Sequence, residues 1–357
     1  MISSHLPYQR RRAWWKLANL VLSHLRATLN DFLQTQADTR TQLCRLDVAS
    51  LAGDHCTLSG VVLDQATLAA AQTALLSSFP SPPSLSLDSS AVEVLRPGQP
   101  LAVAVNLTGL FAQPSWLAEQ VSQLLDGQPL EGLQEEGRWV LVRQADGYLG
   151  WAYRPYLTDS PPPDPTHLVS APVALLHTTP AEDAPLAGRL LAGTAVRVAE
   201  IQGAWARPAL SCGVQGWLPL ANLRTLDALP QSPEERRAQM LADGARFIGV
   251  PYLWGGCSAL GIDCSGFVQL LHRLAGVTLP RDADMQFAAG RPVEPPYQPG
   301  DLFFFSGDNY RAITHVGMSL GGWRMLHSSR ARNGVYSDDM RAVPHLRNAF
   351  TGARTFI

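Results

Sequence analysis

Six residues recur at one offset of 66 positions: Gly127, Gly137, Trp139, Gly150, Trp151 and Leu157 reappear as Gly193, Gly203, Trp205, Gly216, Trp217 and Leu223. Six coincidences at one spacing, two of them tryptophan, mark a duplicated structural unit. Each copy is built from short runs separated by glycine-bearing turns. The first reads Gly-Arg-Trp-Val-Leu-Val-Arg from Gly137 and Asp-Gly-Tyr-Leu-Gly-Trp-Ala from Asp146; the second reads Gly-Ala-Trp-Ala-Arg from Gly203 and Gly-Val-Gln-Gly-Trp-Leu-Pro from Gly213. Runs of this length with such punctuation read as strands, so residues 96–226 are predicted to be all-β, with Trp139 and Trp205 plugging small cores. Ser160-Pro161-Pro162-Pro163-Asp164-Pro165 is a stiff spacer between the copies. Only the first copy has the stretch Pro114-Ser115-Trp116-Leu117-Ala118-Glu119-Gln120-Val121, whose composition predicts a helical insertion and hence two non-equivalent units.

The Gly-Trp segments followed by a closing leucine resemble a tandem of bacterial SH3-like barrels. The resemblance places one barrel, with the helical insertion, at 96–160 and the other at 166–226. Residues 1–95 are predicted to run helix, strand, strand, helix, strand. The elements are a helix through Phe32, strands at Leu43–Val48 and Cys56–Leu63 turned at Gly53-Asp54, a helix at Thr67–Leu76 broken by Ser81-Pro82-Pro83, and a strand at Leu85–Leu95. That order is similar to small α/β modules of the BON type, and the stretch carries no chemical motif.

Composition narrows the function classes. The 357 residues suffice for several cores, and the formal net charge of −2, with no basic block beyond Arg10-Arg11-Arg12, argues against nucleic acid as a partner. Five cysteines at irregular spacing do not describe a disulfide framework. Cys257, Cys264, His315 and His327 are spaced too widely for a chelating turn, so neither a metal nor another cofactor is expected. No apolar run is long enough for a transmembrane segment. The segment after Arg12 is interrupted by Lys16, Asn19, Ser23, His24 and Arg26, unlike a secretory leader, so a cytoplasmic location is expected.

The chemistry is predicted in residues 230–357. Ser232-Pro233-Glu234-Glu235 opens a helix with a capping box. Further on, Asp263-Cys264-Ser265-Gly266-Phe267 precedes the apolar spacing Val268, Leu270, Leu271, Leu274 and the stop Gly276. This predicts an amphipathic helix capped by Asp263 with Cys264 in its first turn, where the helix dipole and unpaired N–H groups favour the thiolate. A thiol nucleophile needs a base that later serves as the acid for the leaving group. His315 lies on a predicted strand Ile313–Leu320, and His327 on its hairpin partner Trp323–His327. Because 327 − 315 is even, a plain two-residue Gly321-Gly322 turn puts the rings on opposite faces; a shared face requires an odd loop or a bulge.

Tyr252-Leu253-Trp254-Gly255-Gly256, Asp263-Cys264-Ser265-Gly266-Phe267, Pro280-Arg281-Asp282-Ala283, Pro299-Gly300-Asp301-Leu302-Phe303-Phe304 and Thr314-His315-Val316-Gly317-Met318 resemble the NlpC-type cell-wall cysteine peptidases, in the right order from residue 233 to the end. With two SH3-like units in front, the chain is similar to γ-D-glutamyl-L-diamino acid endopeptidases that process murein peptides. The resemblance implies a multi-domain chain: a small α/β module, two all-β barrels and a papain-like α+β catalytic domain. It further implies Cys264 as nucleophile, His315 as base, His327 as the residue orienting it, and Tyr252 beside the oxyanion. Substrate contacts are implied for Ser265 and Asp282, the latter holding a free L-Ala amine, with Glu119 and Tyr148 closing the pocket from the first barrel. Ala283 stands where the family often has serine, which removes one substrate hydrogen bond. Two rivals remain open on sequence alone: a wall-binding protein with a decayed catalytic domain, and a Cys-His amidase or acyltransferase acting on another acyl group.

Overall fold

In the computed structural model of the chain, residues 8–36, 38–79, 85–160, 162–307 and 312–357 are described, with side chains from residue 19 onward. The chain forms two units, Met1–Gln99 and Pro100–Ile357.

In the first unit, the helix Tyr8–Thr35 contributes Leu25 and Leu29 to a core completed by Val48, Leu58, Ala71 and Leu75. Strands Cys44–Ala52 and His55–Val62 pair antiparallel around Gly53, whose φ of 65° suits a tight turn. The helix Gln65–Ser77 begins where the Asp64 carboxylate accepts the Thr67 N–H at 2.9 Å. It carries the chain over to Ser86–Val94, which joins the sheet in parallel, as such a crossover allows. The predicted order of elements is the observed one; the break at Ser81-Pro82-Pro83 lies outside the described residues.

In the second unit the 66-residue offset governs whole elements. Strands Leu107–Phe111, Gln120–Leu125, Pro129–Glu136 and Trp139–Arg143 recur as Val173–His177, Leu186–Leu191, Ala195–Gln202 and Trp205–Ala209, and the 3-10 turns Arg154–Tyr156 and Leu220–Asn222 close both copies. This corrects the expected helical insertion at 114–121. Gln120–Leu125 is a strand paired with Leu107–Phe111, and it has its own counterpart in the second copy. The residues before it form a turn: Ser115 N–H donates to the Gln113 carbonyl and Ala118 N–H to that of Ser115. Trp116 leaves the helical path because its ring packs on Trp139 and Tyr153, at centroid distances of 4.9 and 5.0 Å. Tertiary aromatic contacts thus override a weak local helix propensity.

The last part of the chain carries a six-stranded antiparallel sheet. Its order is Arg291–Val293, Phe350–Thr355, Leu302–Ser306, Ile313–Gly321, Arg324–Ser329 and Gly334–Asp339. The helices Pro233–Ala245 and Cys264–Leu274 pack against it. Both faces are buried, and the period of two is plain in one strand: Leu302 and Phe304 join the core containing Phe267, Leu271 and Leu274, while Phe303 and Phe305 join a second cluster with Tyr297 and Met325. The duplicated β region seats against the cysteine helix. Gly193, at φ 86°, comes so close that a Cβ there would lie 2.8 Å from Leu270 Cδ1.

Candidate active site

The cysteine helix Cys264–Leu274 is capped as expected: the Asp263 carboxylate accepts the Gly266 N–H at 2.7 Å. Its other oxygen accepts the N–H of Gly255 at 3.0 Å, which ties the Tyr252–Gly256 approach to the start of the helix. Gly255, at φ 71°, has no room for a side chain, since a Cβ would run into the Gln120 carbonyl.

The hairpin bearing the histidines contains a bulge. Met318 pairs with Leu326 and Ser319 with Met325, but Gly321 pairs with Arg324, so Leu320 is the extra residue. The bulge restores the parity that a two-residue turn would spoil, and both rings lie on one face, with His315 Nε2 2.8 Å from His327 Nδ1. The strand after the hairpin adds a residue that sequence reasoning missed. His327 is paired with Tyr336, so Asp338, two positions on, shares that face; its Oδ2 lies 3.3 Å from His327 Nε2, and its Oδ1 accepts from Arg332 at 3.0 Å. The same parity rule, applied to Tyr336-Ser337-Asp338, was the available signal.

This chain of bonds assigns the tautomers. An acceptor carboxylate at His327 Nε2 requires a proton there, which leaves His327 Nδ1 as an acceptor. His315 Nε2 must then donate, and His315 Nδ1 is left unprotonated.

Cys264 is buried, and the strand carrying His315 reaches it through the Val316 N–H, which with the Ser265 N–H favours the thiolate. These donors do not prevail. Burial, reinforced by the Asp263 charge, pushes the Cys264 thiol up to about 12. Burial, with the neighbouring His327 and His345, brings His315 down to about 3; burial and the Arg332 charge bring His327 down to about 4. The preference of the helix N-terminus for a thiolate is therefore opposed by desolvation, which acts toward a neutral thiol and neutral imidazoles. Tyr252 is also pushed up, to about 12, chiefly by burial and then by Cys264 and Asp263, so its hydroxyl remains a donor. Arg330 lies 5.7 Å from its ring centroid.

Behind the thiol lies a buried polar network. Arg281, 1% exposed, donates to Asp263 at 2.7 and 3.2 Å, to Ser265 Oγ at 2.9 Å and to Ser122 Oγ of the first β copy at 3.1 Å. The Ser265 hydroxyl is thus engaged inward, and it also donates to Asp263 Oδ1 at 3.3 Å. Its side chain thereby stiffens the cap.

Asp282 occupies the N-cap position of the helix Ala283–Ala289 but makes no side-chain cap bond. Its Oδ2 instead accepts from the Tyr148 hydroxyl at 2.9 Å, across from the first β copy. Glu119 accepts from Trp254 Nε1 at 2.7 Å. Of the three residues expected to converge, Tyr148 and Asp282 meet directly, while Glu119 bonds to the approach segment. Ala283 is buried beside them. Among the described residues, no group of three or more His, Cys, Asp or Glu side chains is arranged to hold a metal ion, and no helix is long and apolar enough to cross a membrane.

Comparison with known proteins agrees with this arrangement. The family model described as NlpC/P60 family matches residues 249–354, and that of the bacterial SH3 domain matches residues 106–158. A γ-D-glutamyl-L-lysine dipeptidyl-peptidase of Bacillus subtilis is 31% identical over 233 residues, covering 60% of this chain and 74% of its own. The protein of the same description from Bacillus cereus is 29% identical over 251 residues, covering 66% and 75%. In fold, the chain is similar to the crystal structure of an NlpC/P60 family protein from Bacillus cereus, with a TM-score of 0.64 and 24% identity over 72% of this chain and 99% of that one.

Proposed function

The chain belongs to the NlpC/P60 family, and from that premise we propose that it hydrolyses the amide between γ-D-glutamate and a diamino acid in murein peptides whose L-Ala amino group is free. Support for the bond cleaved comes from the relatives described as γ-D-glutamyl-L-lysine dipeptidyl-peptidases. The observation that carries the free-amine requirement is the Tyr148–Asp282 hydrogen bond. It presents a carboxylate at the junction of the first SH3-like unit and the catalytic domain, where an ammonium group finds a charge-assisted partner. Such a substrate is a released fragment, which suits recycling in the cytoplasm.

In the proposed reaction Cys264 Sγ attacks the γ-carbonyl carbon as its proton passes to His315 Nδ1. The oxyanion is met by the Cys264 N–H and the Tyr252 hydroxyl. Collapse breaks the C–N bond, the leaving amine takes the proton from His315, and a γ-glutamyl thioester remains. Water, deprotonated by His315, hydrolyses it. His327 and Asp338 hold the imidazole in the required tautomer.

The test is hydrolysis of L-Ala-γ-D-Glu-diaminopimelate beside its N-acetylated form. Acetylation is expected to lower kcat/KM by about 10²-fold, the scale of losing a buried charge-assisted pair. Asp282→Asn should reproduce the loss on the free peptide and add little on the acetylated one. Equal cleavage of both peptides by the unaltered protein overturns the free-amine requirement and leaves the peptidase assignment standing.

The low pKa of both histidines sets the acid limb. Depressed values keep the imidazoles neutral below the ordinary 6.5, so kcat/KM should hold through pH 5 and fall only toward pH 4. A limb between pH 6 and 7 would contradict the buried, neutral pair. Asp338→Asn retains an oxygen that accepts from His327 Nε2 but loses the charge, and kcat is expected to fall about tenfold with KM nearly unchanged. Asp338→Leu, which loses the acceptor too, should fall further.

A further inference from the structure

Near the thiol, one guanidinium is packed on aromatic rings without an acid to pair with it among the described residues. Arg330 opens the 3-10 turn Arg330–Arg332, directly after the strand Arg324–Ser329 that carries His327. Its guanidinium carbon lies 5.7 Å from the ring centroid of Tyr252 and 5.3 Å from that of Trp254. Its charge also acts on the Tyr252 hydroxyl, opposing the burial that dominates there. Backbone bonds fix the turn against the segment that bears the two rings: Tyr252 N–H donates to the Asn333 carbonyl at 3.3 Å, and Val335 N–H to that of Val250 at 3.0 Å.

The acids of the surrounding elements already have partners. Asp263 accepts from Arg281 at 2.7 Å, Asp338 Oδ1 from Arg332 at 3.0 Å, and Glu119 from Trp254 Nε1 at 2.7 Å. Arg330 forms no ion pair among the described residues, and it is exposed, as is Trp254 at 51%.

The proposed substrate brings carboxylates of its own. The γ-linkage leaves the α-carboxylate of D-glutamate free, and the diamino acid carries another. The described groups closer to the thiol offer these little: Asp282 is itself an acid, and burial depresses the pKa of both imidazoles. Arg281 is 1% exposed and directs its N–H groups to Asp263, Ser265 and Ser122. A guanidinium packed on aromatic faces keeps edge N–H groups for a planar acceptor, and the packing lowers the entropy cost of holding it in place. We propose, on the peptidase reading above, that Arg330 is a substrate-binding residue whose guanidinium pairs with a peptide carboxylate next to the amide that is cut. That carboxylate has two sources: the glutamyl α-carbon on the acyl side, or the diamino acid on the leaving side.

The probes are L-Ala-γ-D-Glu-L-Lys, the same peptide amidated at the glutamate α-carboxylate, and the same peptide ending in L-lysinamide. They are titrated calorimetrically into the full-length Cys264→Ala protein, which is expected to bind without cleaving. Amidating the carboxylate that Arg330 holds should weaken binding about tenfold, and amidating the other should change it little; the weakened peptide identifies the source. Adding Arg330→Gln should weaken the unamidated peptide by the same factor and abolish the penalty for amidation. Equal binding of all three peptides overturns the proposal without recourse to a variant at Arg330. So does an amidation penalty that survives Arg330→Gln in a protein that melts normally, or the absence of any binding. A uniform loss over the three peptides on Arg330→Gln also overturns it, since a residue acting only through Tyr252 behaves that way. Product formation from L-Ala-γ-D-Glu-L-Lys by the unaltered protein reports separately on the peptidase reading, so the two fail independently.

Discussion

Replacing Cys264 with alanine is expected to abolish turnover of L-Ala-γ-D-Glu-diaminopimelate, by at least about 10⁴-fold in kcat, the scale at which nucleophiles of concerted triads fail when removed. The fold should survive. Cys264 contributes a small buried side chain at the first position of a helix whose cap, Asp263, is untouched. Because burial acts toward the neutral thiol, its loss should remove no buried charge, and the melting temperature should move little. The decisive measurement is product formation by chromatography, beside a thermal melt. Substantial activity in Cys264→Ala would exclude the thioester route. Cys264→Ser should be nearly as inactive, since the His315 base that suits a thiol faces a much less acidic hydroxyl.

The second large effect concerns Arg281→Met. Arg281 is fully surrounded and holds both oxygens of Asp263, Ser265 Oγ and Ser122 Oγ. A methionine fills much of the volume but leaves the Asp263 carboxylate buried without its counter-charge, a loss of about 3–5 kcal/mol. For a unit of this size that is roughly 6–20 °C in melting temperature. Activity should fall as well, because Asp263 positions both the cysteine turn and the Gly255 approach. Asp263→Asn in the Arg281→Met background should recover part of the stability, since it removes the stranded charge. A melt unchanged in Arg281→Met, or no recovery in the double variant, would show that the network contributes little.

How much of this was legible in the residues differs from element to element. The cysteine helix was readable because its determinants are local: an aspartate able to accept the N3 N–H, an apolar stripe, and a glycine at its end. The duplication was equally readable, since turn glycines and tryptophans recur with the backbone they serve. The expected core role of Trp139 and Trp205 is corrected: neither joins the core of its copy, because the strand alternation turns Val140, Val142 and Ala206 inward and leaves Trp139 against Trp116 and Tyr153 and Trp205, half-buried, against His177. The stretch at 114–121 was misread because its helical composition is a weak preference, outbid by strand pairing of Gln120–Leu125 and by the packing of Trp116. Asp338 escapes a sequence reading because the alternation Tyr336-Ser337-Asp338 gives only its face, while its contact with His327 depends on the register between two strands.

By itself, the sequence determined where helices begin, where strands turn, which cysteine heads a capped helix, and that two histidines can share a face only through a bulge or an odd loop. These follow from short-range sterics and hydrogen bonding. The tertiary structure alone decided that Leu320 is that bulge, that Asp338 completes the histidine chain, that Ser265 turns inward to Arg281, and that Tyr148 meets Asp282. It also decided what opposes ionisation of the thiol. A helix N-terminus favours a thiolate, but that preference depends on the solvent that remains, and only the packed molecule shows that burial of Cys264 acts against it.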